Sequence, residues 1–231
     1  MKNQKIKQVA FQQITKSPAY DEMYNLLKLQ QIYDAGIKEI RTKLEILDSE
    51  FKIKHDHNPI HHIESRLKKP ESIVKKAIDK DIPLTERGIM DNIHDIAGIR
   101  VICNYVDDVY NVAKLLMNQD DIKVVEIKDY IKHPKPSGYR SLHLVLQVPI
   151  FLSEGAKPIH VEVQMRTIAM DFWASLEHKL KYKTDNNVPD DIKDELKECA
   201  MSIRALDEKM QNIHNRLNHP EKETVSVIAS K

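Results

Sequence analysis

The segment Ile159–Arg166, IHVEVQMR, alternates without a break. Ile159, Val161, Val163 and Met165 take one face of a strand, and His160, Glu162, Gln164 and Arg166 take the other. A carboxylate, an amide and a guanidinium in one row is either the wet face of a sheet or the floor of an active site. A second carboxylate, Asp95, stands in HDIAGIR just before a strand that carries Arg100. Carboxylates from neighbouring strands suit a magnesium ion, which takes one or two of them together with phosphate oxygens. The plainer alternative is that Asp95 caps, or pairs with, Arg100.

Positive charge is supplied by two other segments. KHPKPSGYRSLH holds Lys132, Lys135 and Arg140, which suit phosphates, and Tyr139, which suits base stacking. If a strand begins there, Tyr139, Ser141 and His143 share a face; the plainer alternative is a solvated basic loop. In HHIESRLKKPESIVKK, Pro70 fits the first position of a helix, with Glu71 in its first turn. The residues before it are then extended, with Arg66 and Lys68 side by side. Ser72 and Lys76, four apart, share a face near the helix N-terminus, where phosphate is favoured. An ordinary charged helix start is the alternative.

Other chemistries find less support. Neither G-x-x-x-x-G-K-[ST] nor G-x-G-x-x-G occurs, so phosphates, if bound, are held by side chains rather than a glycine-rich loop. His55, His57, His61 and His62 cluster, but no cysteine joins them and their spacing matches no standard zinc site. His94-Asp95 suggests a metal phosphohydrolase, yet it runs into a strand instead of a ligand-bearing helix. Cys103 alternates with strand core and reads as buried and inert. Trp173 stands at helical spacing with Leu176 and Leu180 and reads as core.

The elements that must position these groups follow from periodicity. Helical spacing runs from Asp21 to Phe51, with Gly36 as a candidate break, and Asn58-Pro59 closes it. GIRVICNYV, DIKVVEI, YRSLHLVLQVPI and IHVEVQMR read as strands, the last two as a hairpin about SEGAKP. DDVYNVAKLLMNQ is helical, Thr167 caps a helix to Lys183, and an amphipathic helix runs from Asp190 to Leu217. HPEKETVSVIASK reads as a frayed tail. The class is α+β, a mixed β-sheet framed by helices.

Composition bounds the function. The chain has 231 residues, with 36 Lys+Arg against 35 Asp+Glu and a net charge of +1, which argues against a general nucleic-acid coat. Two cysteines make no disulfide framework. MKNQKIKQVAFQQ lacks a signal-peptide core, and no run approaches the roughly 18 apolar residues of a membrane span. The expectation is a cytoplasmic protein that needs neither membrane nor nucleic acid.

Together, HDIAGIRVICNYVDDVY, KDYIKHPKPSGYRSLHLVL and VEVQMRTIAMDFWASLEHKLKYK resemble the synthetase domain of the RelA/SpoT alarmone enzymes. With the Arg66–Lys76 segment, four motifs stand in the family's order between about Asn58 and Lys183. The chain is too short for the hydrolase and regulatory regions of the long enzymes, and resembles a stand-alone small synthetase. NPIHHIESRLK and the helical extensions are most similar to the RelP type, with RelQ next. The resemblance implies a nucleotidyltransferase-like fold. It also implies transfer of pyrophosphate from ATP to the 3′-hydroxyl of GDP or GTP, giving AMP and ppGpp or pppGpp for the stringent response.

The resemblance also implies site roles. Asp95 and Glu162 match the Mg²⁺ carboxylates, with Glu162 the base for the attacking hydroxyl. Arg66, Lys68, Ser72, Lys76 and Arg100 match the ATP site, with Arg66 and Arg100 around the adenine. Tyr139 matches the guanine-stacking ring, while Lys128, Lys135, His143 and Gln164 match the rest of the GDP/GTP site. Arg140 and Arg166 occupy motif positions without an implied contact. Asp171 stands where many relatives have Asn, and Glu126 is acidic where a related variant is basic. The implied layout is a helical extension over 1–57, a catalytic domain over 58–185 and a C-terminal helix and tail over 186–231. The extensions imply a homo-oligomer, a homotetramer by resemblance. Two other readings stand beside this one: another Mg²⁺-dependent nucleotidyl- or phosphotransferase, and a catalytically silent oligomeric binding module.

Overall fold

The computed structural model describes residues 18–54, 57–183 and 188–218. Five strands form one sheet in the order β1-β2-β5-β4-β3, over Ile60–Leu67 (β1), Ala97–Cys103 (β2), Lys123–Asp129 (β3), Leu142–Leu152 (β4) and Gly155–Thr167 (β5). Only β2 and β5 are parallel; the other neighbours are antiparallel. The helices are Pro18–Lys54 (α1), Pro70–Asp79 (α2), Glu86–Asn92 (α3), Val106–Met117 (α4), Ile168–Lys183 (α5) and Asp190–Asn218 (α6). Among the described residues, no helix is long and apolar enough to cross a membrane.

The alternation in β5 decides which face is which. Ile159, Val161, Val163 and Met165 are buried with Ile99 and Val101 of β2 and Leu144 and Leu146 of β4. Against this apolar face lie Leu29, Ile32, Tyr33, Ile37, Ile40 and Leu44 of α1, and Val109, Val112 and Leu116 of α4. Burial of this apolar surface is the main favourable term holding the fold. The opposite face carries Glu162, Gln164 and Arg166.

Four expectations need correction. Gly36 does not break the first helix, which runs on from Pro18 to Lys54. Its lack of a side chain serves contact instead: a Cβ there would lie 2.6 Å from Ile159 Cγ2. The strand after the basic loop begins at Leu142, not Tyr139, and the hairpin turn is only Ser153-Glu154, with Leu152 facing Gly155. Gly155 has φ of 122°, a conformation that favours glycine. Helix α3 was not anticipated. Thr85 caps it by accepting from the Gly88 amide at 3.0 Å, but seven residues offer little periodicity to read. Trp173 is buried as expected, but Leu176 and Leu180 are exposed. The indole N–H donates to Leu196 O at 2.9 Å and the ring packs beside Ala200 of α6.

The α5 start is as the sequence suggests, with Thr167 Oγ1 accepting from the Met170 amide at 3.1 Å. The Cys103 thiol is fully buried, and burial pushes its pKa up, which makes it inert. His55 and the tail after Asn218 lie outside the described residues. His57 contacts Asp108 at 2.9 Å, while His61 and His62 are exposed on β1.

Candidate active site

Strand register assembles the polar face. Gly98 of β2 pairs with Arg66 of β1 and with Glu162 of β5. Two residues along, Arg100 pairs with Glu64 and Gln164, Gln164 with His143, and His143 with Lys128. One row of polar side chains therefore crosses all five strands. Gly98 places no side chain between Arg66 and Glu162, and an open cleft of about 400 Å³ lies there. Arg66, Lys68, Asp95, Arg100, Glu162 and Gln164 line it.

At one end, the lysines converge on Asp95. Lys68 stands just beyond β1, where its amide donates to Ile96 O at 2.8 Å. Lys76 lies on α2, which Pro70 begins. Both ammonium groups donate to Asp95 Oδ2 at 2.7 Å. Burial would raise the Asp95 carboxyl, but the two lysines outweigh it and hold it below its ordinary range. Asp95 Oδ1 is buried with no hydrogen-bond partner, as is Arg100 Nε. Asp95 does not pair with Arg100. Arg100 Nη1 donates to Glu64 at 3.1 Å, and its Nε is 3.6 Å from Asp171. Ser72 is half-buried on α2, one turn before Lys76, and Arg66 is exposed.

At the other end, one hydrogen-bonded chain runs from Arg166 to Glu162. Arg166 Nη2 donates to Tyr139 Oη at 2.6 Å, and Tyr139 Oη lies 2.8 Å from His143 Nε2. His143 Nδ1 faces Glu162 Oε1 at 3.4 Å, and a carboxylate only accepts, so Nδ1 carries a proton. In the neutral imidazole Nε2 is then the acceptor for the Tyr139 hydroxyl proton. Gln164 Nε2 donates to Glu162 Oε2 at 2.8 Å. Burial pushes the Glu162 carboxyl upward, but His143 and Gln164 prevail and keep it below its ordinary range. It is thus an ionised, oriented carboxylate on the cleft floor.

Lys135 Nζ lies 4.9 Å from the Tyr139 ring centroid and 4.6 Å from that of Tyr130. Lys128, on edge strand β3, is tied to Glu126 at 2.8 Å. The structure therefore gathers Asp95, Glu162, Arg66, Lys68, Arg100 and Gln164 in one cleft. His143 adjoins it through its contact with Glu162, and Tyr139 through His143 and Arg166; Lys128 pairs across the strands with His143, and Lys135 sits over the Tyr139 ring.

Two basic residues of the loop have other partners. Arg140 does not face phosphates; it is buried and pairs with Asp207 of α6 at 3.3 Å. Lys132 sits over Tyr110, 5.1 Å from the ring centroid. Ser141 is fully buried; its hydroxyl donates to Met165 O at 3.1 Å and lies against the Arg166 guanidinium that also holds Tyr139, on the side of His143. Arg166, which had no assigned contact, is the hub of the site. Its Nη1 donates to Asp171 at 3.0 Å, its Nη2 also reaches Gln164 at 3.0 Å, and its Nε donates to Ser141 at 3.4 Å. Asp171 and Asp207 were not anticipated in these roles, because their partners are set by packing of helices onto the sheet.

The model of the region found in RelA/SpoT proteins matches residues 65–187, which include both ends of this cleft. This chain belongs to the RelA/SpoT family. The GTP pyrophosphokinase YwaC of Bacillus subtilis is 46% identical over 187 residues, 81% of this chain and 89% of that protein. The small alarmone synthetase 1 of Bacillus subtilis, solved with its product pppGpp, superposes with a TM-score of 0.76. It is 39% identical, over 80% of this chain and 94% of that one. The same synthetase solved with AMPCPP gives a TM-score of 0.70 at 36% identity, over 81% of this chain and 94% of that one. Within the RelA/SpoT family, then, this chain carries a mixed sheet whose polar face holds two carboxylates between a lysine pair and a tyrosine–histidine chain.

Proposed function

We propose that the protein is a (p)ppGpp synthetase, a GTP diphosphokinase. It moves pyrophosphate from ATP to the 3′-hydroxyl of GDP or GTP and releases AMP. The observation that carries the reading is the one cleft that Asp95 and Glu162 line together, with Lys68 and Lys76 bonded to Asp95 and the Tyr139–His143 pair joined to Glu162. A relative of similar length is a GTP pyrophosphokinase, and a structural neighbour was solved with pppGpp.

The donor nucleotide fits the Asp95 end. Lys68 and Lys76 exchange their shared carboxylate oxygen for phosphate oxygens, with Ser72 beside them at the start of α2. Arg66 and Arg100 offer flat guanidinium faces to the adenine. The acceptor fits the Tyr139 end, where guanine stacks on the ring and Lys128, Lys135 and His143 meet its 5′-phosphates, with Gln164 adjacent. Glu162 takes the proton from the 3′-hydroxyl. The freed oxygen attacks the β-phosphorus of ATP, the bond to the bridging α–β oxygen breaks, and AMP leaves with that oxygen. The ionised state of Glu162 suits a base, and its bonds to His143 and Gln164 fix its direction.

A divalent cation fits between the two carboxylates. Asp95 Oδ1 is a buried carboxylate oxygen with no protein partner, and hard oxygen donors suit Mg²⁺. Asp95 and Glu162 would hold the ion. When bound, it offsets negative charge on the transferring group. Positioning of the two nucleotides by the chain's own residues supplies much of the remainder.

The remaining attributes rest on the same reading. The catalytic part is assigned to residues 58–185, the N-terminal extension to 1–57, with the helix Pro18–Lys54, and the C-terminal part to 186–231, with the helix Asp190–Asn218, in the manner of the RelP type. Exposed Leu206, Met210, Ile213 and Leu217 on α6 suit assembly into a homotetramer. The protein works in the cytoplasm in the stringent response. The test is incubation with Mg²⁺ and ATP labelled at the γ-phosphate, with GDP or GTP, followed by separation of the nucleotides. Label in ppGpp or pppGpp with equimolar AMP is expected. Label moving to another acceptor, with none to guanine nucleotides, contradicts the reading.

A further inference from the structure

Arg140 and Thr167 have no direct place in the cleft, yet each follows a residue that does. Arg140 follows Tyr139, the proposed guanine platform, and Thr167 follows Arg166, whose guanidinium holds the Tyr139 hydroxyl. Both converge on one atom. Asp207 Oδ2 accepts from Arg140 Nη1 at 3.3 Å and from Thr167 Oγ1 at 3.0 Å. Asp207 lies on α6, far along the chain, and is buried, as are both of its partners.

A second contact fixes α6 against the same loop. Ala200, two turns before Asp207, faces Gly138. A Cβ at Gly138 would come within 2.4 Å of Ala200 Cβ, so helix and loop are in closest approach just before Tyr139. Gly138 also has φ of 87°, which disfavours any side chain there. Tyr139 itself packs against the cluster of Trp173, Ala174 and Ala200, with Ile203 of α6 alongside. The loop is therefore seated on α6 at Gly138, at Tyr139 and at Arg140.

Such a buried ion pair is weak as a device for stability, because desolvation offsets much of the attraction. Burial raises the Asp207 carboxyl and lowers the Arg140 guanidinium from their ordinary values, against the pull of each on the other. What the pair does fix is geometry. One carboxylate oxygen sets the distance between the residues after Tyr139 and after Arg166, and so the alignment of ring and guanidinium.

We infer that Asp207 is a positioning residue for the acceptor nucleotide, through which the C-terminal helix holds the Tyr139 platform in its binding orientation. This rests on the reading of Tyr139 as the guanine site. It assigns Asp207 no contact with either nucleotide. The consequence is selective: disturbing Asp207 weakens use of the guanine nucleotide and leaves ATP binding alone, since its hydrogen bonds go to Arg140 and Thr167 and not to Arg66, Lys68 or Lys76.

The test compares acceptor and ATP KM in Asp207→Ala and in the packing-preserving double variant Arg140→Met/Asp207→Leu. In either folded variant the acceptor KM should rise about tenfold while the ATP KM stays within about twofold. Asp207→Asn retains an oxygen for Thr167, so its acceptor KM should rise less than that of Asp207→Ala. Equal rises in both KM values, an unchanged acceptor KM, or failure of both the Ala and the double variants to fold would overturn the assignment. Wild-type protein that makes no alarmone overturns the functional reading and this inference together. Wild-type synthesis with an unchanged variant KM overturns the inference alone.

Discussion

At the Tyr139 end of the cleft, Arg166 gives all three guanidinium nitrogens to protein partners, and each polar group in the chain to Glu162 has a neighbour. At the Asp95 end, two ammonium groups crowd one carboxylate oxygen while the other is buried and unmatched. The difference is one of readiness. On the proposed reading, the Tyr139 end is the acceptor end, organised before a nucleotide arrives, so little ordering remains to be done on binding. The Asp95 end is, on the same reading, the donor end, held by ion pairs that a triphosphate would replace. A buried oxygen without a partner is costly to leave that way, and a ligand that fills it gains what the free protein lacks.

The sharpest break in this comparison is Asp95→Asn. It should lower synthesis by at least about 10²-fold, with the circular dichroism spectrum unchanged, because the apolar face of the sheet does not use Asp95. Loss of the fold, or activity near wild type, would show that the Asp95 end is structural only. Next in size is Tyr139→Ala. Base stacking contributes about 1–3 kcal/mol, so the acceptor KM should rise about 10- to 100-fold with the ATP KM little changed. Equal changes in both would erase the division between the ends.

Acid stability sharpens the comparison more gently. The Asp95 carboxyl lies below its ordinary value in the folded protein, so its contribution is fully present above about pH 4. That contribution is lost as pH falls through the lowered value. Chemical denaturation across this range should therefore show a shallower acid loss in Asp95→Asn than in wild type; parallel curves would contradict the lysine pairing. Smallest of all is Lys132→Ala. Lys132 is exposed and sits over Tyr110, away from the cleft. Acceptor and ATP KM should stay within about twofold, and stability should change by less than about 0.5 kcal/mol. A large acceptor effect would restore the basic loop as a phosphate site.

What could be read in the sequence followed a local pattern. The strict alternation of Ile159–Arg166 sorts Glu162 from Val161 and Val163, and the β5 burial pattern agrees through Met165. Pro70 marks the start of α2, and Thr167 marks that of α5. The carboxylate pair and the lysines were legible as residue types, and the family motifs tied them together. Partners chosen by tertiary packing were not legible. Arg140 looks like any basic loop residue until α6 brings Asp207 to it over 67 positions of sequence. Gly36 looks like a helix break because its reason lies in Ile159, on a distant strand. Asp95 looks like a partner for Arg100, five residues away, but β1 and α2 deliver two lysines closer.

The most direct measurement is rapid-quench transfer of labelled pyrophosphate by Glu162→Gln, alongside calorimetric binding of AMPCPP and GDP. Gln keeps the shape and its neighbours but cannot take a proton. The account expects both nucleotides to bind within about threefold of wild type. Transfer should fall on the order of 10²- to 10⁴-fold, as for loss of a general base. Transfer within about tenfold of wild type, from a variant that binds both nucleotides, would contradict Glu162 as the base and the polar face as the site of the reaction.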